Sequence, residues 1–238
     1  MKETLCTVLC LLLLIAVFLG GALHGFESVA LNPDKYDRLQ KELDVYDYAG
    51  MDAESLSRVN VLLADYLTGK ADSLSIEEKV FGVRGQVFND SEKAHMVDVL
   101  NLFRLAHGLK IGLLLAAALM LAVFVIAARP RVIPVLIRAL VWFVRGAGAL
   151  LLIGIVLALT LGFDRLFILF HELFFTNDLW LMNPATDIMV RMFPGEFFRQ
   201  IAIDALFSAL TVGICAAGAV LWICGILFRS TFGRKQTS

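Results

Sequence analysis

Four stretches of the chain stay apolar for about 20 residues, the length that crosses a hydrocarbon core of about 30 Å. They run Leu5–Leu23, Leu109–Ala128, Ala139–Gly162 and Ile201–Phe228, and each predicts a transmembrane helix. Asp204 interrupts the start of the fourth, and Arg145 lies near enough to the cytoplasmic end of the third to snorkel. A cleaved signal peptide is the alternative for the first run. That run exceeds the usual signal-peptide core and no A-x-A site follows it, so a retained helix is expected.

Between the runs the periodicity changes. Asn32-Pro33-Asp34 opens a helix with Tyr36, Leu39 and Leu43 at helical spacing. Asp52 caps a second, lined by Leu56, Val59, Leu63 and Leu67 and closed by Gly69. The glycine-punctuated stretch VFGVRGQVF, Val80 to Phe88, predicts a short hairpin. Asn89-Asp90-Ser91 caps a helix with no breaker before Ala128, so that helix continues into the second span. After the third span, Leu166 to Phe175 is very apolar, and Asn177-Asp178, Asn183-Pro184 and Pro194-Gly195 cut the rest into short pieces. This predicts interfacial or partly re-entrant elements in the headgroup layer.

Lysine and arginine set the expected orientation. Arg129, Arg131 and Arg138 follow the second span, and Arg229, Arg234 and Lys235 follow the fourth, which marks both as cytoplasmic. The expected fold class is an all-α membrane protein with four transmembrane helices and both termini inside. A mostly helical extracytoplasmic domain lies between helices 1 and 2, and an interfacial segment between helices 3 and 4. The expected division is span 1 at residues 5–23, extracytoplasmic domain 24–106, span 2 at 109–128, cytoplasmic loop 129–138, span 3 at 139–162, interfacial segment 163–200, span 4 at 201–228 and cytoplasmic tail 229–238.

Composition agrees: 59% of the 238 residues are hydrophobic and mean hydropathy is +0.78, well above a soluble domain of about 45–50% apolar residues. The segment from His24 to Ala106 holds 15 of the 22 carboxylates and 9 of the 21 Lys and Arg, a formal charge of −6. No basic patch points to nucleic acid. Cys6, Cys10, Cys215 and Cys224 all fall within expected spans, where they read as small buried hydrophobes rather than disulfide partners.

The chemistry concentrates in two histidines. His95, in SEKAHMVDVLNLF, precedes the second span, and His171, in FDRLFILFHELFF, follows the third, so both face the same side of the bilayer. Imidazole takes and returns protons near neutral pH, and an ionisable group among apolar neighbours at a membrane is costly unless functional. Asp98 shares a helical face with His95, where it could fix the imidazole tautomer, and Asn101 lies roughly on that side. Asp164 lies two turns before His171 on its face. Asn177, Asp178, Trp180 and Asp187 could frame a pocket, and Arg191 and Arg199 could hold a phosphate or carbonyl. For each of these the plainer reading is loop structure or interfacial anchoring. HELFF fails the zinc-protease pattern HExxH because Phe175 stands at the second ligand position, so no metal is expected. His24 and His107 are weaker candidates. No GxSxG, SxxK or catalytic-cysteine pattern is present, which favours a nucleophile supplied by the substrate.

YLTGK (Tyr66 to Lys70), EKAHMVDVLNLF (Glu92 to Phe103) and FDRLFILFHELFFTNDLWLMNPATDIMVRMFPGEFF (Phe163 to Phe198), with the four-span layout, resemble the lipoprotein intramolecular transacylase family, Lit, of Gram-positive bacteria. The resemblance implies an acyltransferase of the bacterial cell membrane. It would move the sn-2 acyl chain of a diacylglyceryl-cysteine lipoprotein onto the cysteine α-amino group, giving the lyso form. It implies an essential histidine pair at His95 and His171, with no cofactor. One imidazole would deprotonate the amine and return the proton to the leaving oxygen. The other, oriented by Asp98, would steady the pair or stabilise the oxyanion, and the sequence leaves the two roles interchangeable. Expected partners are the N-terminus of a diacylated lipoprotein and membrane lipids, with no nucleic acid and a monomeric enzyme. The competing readings are a different membrane lipid acyltransferase or hydrolase, and a non-enzymatic scaffold or receptor with replaceable histidines.

Overall fold

The computed structural model describes residues 2–127 and 132–232. The elements in order are α1 Lys2–Ala30, α2 Pro33–Glu42, α3 Tyr46–Ala49, α4 Ala53–Leu67, β1 Glu77–Val80, β2 Val83–Gln86, α5 Asp90–Ala127, α6 Val132–Phe174, α7 Met189–Met192 and α8 Gly195–Phe232. Four of them, α1, α5, α6 and α8, are long and apolar enough to cross a membrane. The chain divides into two compact units, one of Met1–Phe26, His107–Thr160 and Phe207–Ser238, the other of Glu27–Ala106 and Leu161–Leu206. Arg129, Arg131, Arg234 and Lys235, on which the orientation rests, lie outside the described residues, as does the side chain of Arg229.

The first unit holds the apolar runs. α1 is its most buried helix: Cys10 and Leu14 pack with Phe124, Val135, Ala139, Ala217 and Cys224, while Leu13, Ala16 and Val17 meet Ala117. Missing β-carbons set the approach of α1 to α8. A Cβ on Gly25 would stand 2.5 Å from the Ser208 carbonyl oxygen, and one on Gly21 would meet Gly213 and the Val212 carbonyl at 3.1 Å. The middle of α6 makes no such contacts; Leu150, Leu152 and Leu159 are exposed, which in a bilayer means they face hydrocarbon rather than water. Cys10 and Cys224 are buried as expected, but Cys215 is on an exposed face of α8.

The second unit is built around Leu56, Val59, Leu63, Phe88, Met192 and Phe197. Its helices start as the sequence anticipates: Asn32 caps α2 and Asp52 caps α4, each accepting from a backbone N–H three residues on. Asn60 Nδ2 donates to Gln40 Oε1 at 2.6 Å, and Gln40 Nε2 donates to the Met192 carbonyl at 3.1 Å, so two buried amides satisfy each other and fix α7 to α2. The hairpin is shifted from its expected window. It pairs Glu77–Val80 with Val83–Gln86 about a turn at Phe81-Gly82, both at positive φ, the geometry of a two-residue hairpin turn. Phe81 tolerates that backbone because its N–H donates to the Gly50 carbonyl at 2.8 Å and its ring lies where a side chain on Gly50 would be.

Two expectations change after the third span. Residues 163–174 form one helical stretch, and the short pieces begin only after it: α6 breaks at Gly162 (φ 72°, ψ 168°) and resumes to Phe174. Asp204, read as an interruption inside the fourth span, belongs to the second unit and is ion-paired with Lys35.

Gly25→Val should lower the thermal unfolding temperature in detergent, since overpacking against backbone costs about 1–3 kcal/mol. Gly154→Val, with nothing within 4 Å of its missing Cβ, should leave it nearly unchanged.

Candidate active site

α5 is 38 residues long, about 57 Å at a rise of about 1.5 Å per residue, whereas a hydrocarbon core is about 30 Å; the two helical parts of α6, on either side of Gly162, together hold 43 residues. His95 lies at the start of α5 and His171 at the end of α6, both in the second unit. Their rings face each other, 6.3 Å between centroids with an interplanar angle of 28°. Both are buried, at 7% and 8% exposure. Aromatic rings surround them. Phe167 lies 4.1 Å, Trp180 4.9 Å and Phe170 5.3 Å from the His171 ring, and Phe175 lies 5.2 Å from His95 and 5.4 Å from His171.

The two imidazoles differ in their polar partners. His171 Nδ1 lies 2.7 Å from the Phe167 carbonyl, one helical turn back. A carbonyl only accepts, so Nδ1 carries the hydrogen and Nε2 of the neutral ring keeps a lone pair. His95 Nδ1 is buried and has no hydrogen-bond partner. Burial, and then the neighbouring His171, push the His95 imidazole down to about 4, against an upward pull from the Asp98 charge. Burial also lowers His171, opposed by the Phe167 carbonyl. Both rings are therefore neutral at pH 7, poised to accept a proton or donate an N–H.

Asp98 does not hydrogen-bond to His95 as its spacing suggested. Its Oδ2 accepts from Asn177 Nδ2 at 2.8 Å, which ties α5 to the chain leaving α6. Asn101 and Asp164 are exposed and join no contact with either ring. Asp178 is exposed too, and its carbonyl accepts from the Leu181 N–H. Arg191 is committed within the protein. It donates through Nε and Nη2 to the Pro184 and Ala185 carbonyls and lies 5.3 Å from the Phe81 ring centroid, which fixes its guanidinium against its own loop. Arg199 is likewise paired with Glu196. Asp187 accepts from Asn89 Nδ2 at 2.8 Å and from the Asn183 N–H at 2.6 Å. His24 and His107 belong to the other unit.

Glu92 is the side chain that sequence reasoning missed. It is 1% exposed; one carboxylate oxygen accepts from the Asn89 N–H at 2.8 Å and the other from the Met189 N–H at 2.7 Å. Asn89 Oδ1 accepts from the Glu92 N–H in return, completing a capping box. The spacing Asn89-x-x-Glu92 was the available signal for the box; the distant bond to Met189 had none.

Such a molecule is, in class, a membrane protein with four helices long and apolar enough to cross a bilayer, carrying a facing imidazole pair in an aromatic nest. The model of the lipoprotein intramolecular transacylase Lit family matches residues 7–198, and the chain belongs to that family. It is a multi-pass membrane acyltransferase, a lipoprotein intramolecular transacylase. Among solved structures it is similar to the membrane integral lipoprotein intramolecular transacylase Lit from Bacillus cereus. The TM-score is 0.66 at 20% identity, over 99% of each chain. Forms of that protein with one histidine changed to arginine or to alanine give TM-scores of 0.66 and 0.65, also at 20% identity. They cover 99% of this chain and 94% and 97% of theirs. Comparison with curated proteins gave no match.

The lowered imidazoles make folding sensitive to acid. The unfolded chain takes up these protons near pH 6.5 and the folded one near 4 at His95, so the unfolded state binds more protons in between. Stability should be full above pH 6.5 and decline as pH falls towards 4. Thermal melts across that window should show the decline, and His95→Phe should flatten it.

Proposed function

We propose that the histidine pair catalyses O-to-N acyl transfer within a lipoprotein N-terminus on the extracytoplasmic side of the membrane. The sn-2 ester of the diacylglyceryl group is the donor, and the α-amine of the same cysteine is the acceptor. The observation that carries this reading is two neutral imidazoles facing each other in an apolar, aromatic site. Two further features agree with it. No protein nucleophile is needed when the substrate brings its own amine. Both reacting groups sit on one molecule, so holding them together supplies much of the rate, with gains of up to about 7–11 kcal/mol for well-oriented intramolecular reactions.

His171 is the base. Its Nδ1–H is held by the Phe167 carbonyl, which leaves Nε2 to take the proton as the amine attacks the ester carbonyl carbon. An α-amine of pKa about 7.7–8.0 is only modestly basic, so a weakly basic imidazole suffices. His95, neutral and with a buried, unpartnered nitrogen, donates an N–H to the tetrahedral oxyanion. Collapse breaks the bond to the glyceryl sn-2 oxygen, which recovers the proton from His171. The C–N bond formed replaces the C–O bond broken, with no net proton change and no water consumed. The aromatic rings exclude the water that would otherwise hydrolyse the ester. The enzyme needs no cofactor in this scheme and works as a monomer.

His95→Ala and His171→Ala should each lower N-acylation by about 10²–10⁴-fold, the usual worth of a general acid or base, with folded protein levels retained. Mass spectrometry of lipoprotein N-termini reads the result. Normal lyso-form product from either variant would overturn the assignment.

A further inference from the structure

On α5, His95 stands midway between two acidic residues, Glu92 three before it and Asp98 three after it, all on one helical face. Each carboxylate reaches to the same stretch of chain on the far side of His171. Glu92 accepts the Met189 N–H and Asp98 accepts Asn177 Nδ2. A third bond, Asn89 Nδ2 to Asp187, reinforces the first. Residues 177–189 are thus fastened to α5 at both ends, and between the fastenings lies Trp180, against the His171 ring. Within the stretch, Asn183 and Asp187 close the loop on itself through the Asn183 N–H. Glu92 takes no part in the proton transfers, yet it is among the most deeply buried charged side chains and both its oxygens are engaged.

We propose that Glu92 and Asn177 are positioning residues: they strap the 177–189 segment across the start of α5, and the strap holds Trp180 on His171 with His95 beneath it. The proposal rests on the reading of the histidine pair as the reacting groups, but the strap itself can be tested without substrate.

Trp180 is one of three tryptophans; Trp142 and Trp222 are exposed in the other unit. In a Trp142→Phe/Trp222→Phe background, emission reports Trp180 alone, and its contact with His171 makes that emission sensitive to imidazole protonation. Glu92→Gln keeps shape but turns an NH₂ towards one of the two N–H donors, at Asn89 or at the buried Met189. Asn177→Ala removes the other fastening at an exposed position and guards against a fold defect in the first variant. Both should shift Trp180 emission to the red and abolish its pH-dependent quenching. Both should lower kcat per folded molecule about 10–100-fold with KM within about threefold. The exchange Asn177→Asp/Asp98→Asn restores a donor–acceptor pair and should recover the wild-type spectrum and rate. Unchanged Trp180 emission in both variants would overturn the proposal, as would shifted emission with kcat intact. Active His95→Ala protein would instead refute the catalytic reading while leaving the emission result standing.

Discussion

Two imidazoles are buried side by side without a carboxylate to neutralise either, and the second unit is organised around that desolvation. A charge on either ring would be cut off from water, and a second charge would be repelled by the first, so both stay neutral. The neighbouring acids take other partners. Asp98 takes a neutral amide from Asn177, Glu92 takes two backbone N–H groups, and Asp187 takes Asn89 and the Asn183 N–H. An ion pair at either histidine would hold it protonated and useless as a base. Each carboxylate takes an uncharged donor and forms no ion pair with either ring; Asp98 still acts on His95 through its charge, a pull weaker than burial.

The membrane imposes the other condition. Within hydrocarbon the backbone must remain hydrogen-bonded to itself, so side chains that need a polar setting ride on helices continued past the apolar stretch. α5 does this without a break, and α6 does it with one break, at Gly162, whose φ of 72° and ψ of 168° suit only glycine. The close approach of α1 to α8 at Gly21 and Gly25 shows the same economy, with small residues letting backbones meet where no hydrophobic force drives helices together.

Much of this was legible in the sequence, since long apolar runs, helix caps and breakers are local signals. The caps at Asn32, Asp52 and Asn89 and the continuity of α5 could be read directly. Histidines flanking two spans drew attention as candidates because an imidazole among phenylalanines is costly to bury; that the two rings meet could be expected only from the shared side of the membrane. Illegible features were those fixed by residues far apart in the chain. Spacing pairs Asp98 with His95, but Asn177 outcompetes it across 79 positions. Composition offered Arg191 as an anion holder, but local carbonyls at Pro184 and Ala185 claim it first. The breakers Asn177, Pro184 and Pro194 all lie after Phe174, so Phe163 to Phe174 keeps its helical bonds and only the chain beyond it is cut into short pieces.

The hydrogen bond from His171 Nδ1 to the Phe167 carbonyl has a kinetic corollary under the proposed mechanism. With one nitrogen anchored, the ring cannot turn over between half-reactions, so the nitrogen that strips the amine must also supply the departing glycerol oxygen. In a dry aromatic enclosure that hydrogen has nowhere else to go. An isotope carried in on the amine would emerge on the newly freed hydroxyl instead of being lost to the surrounding medium.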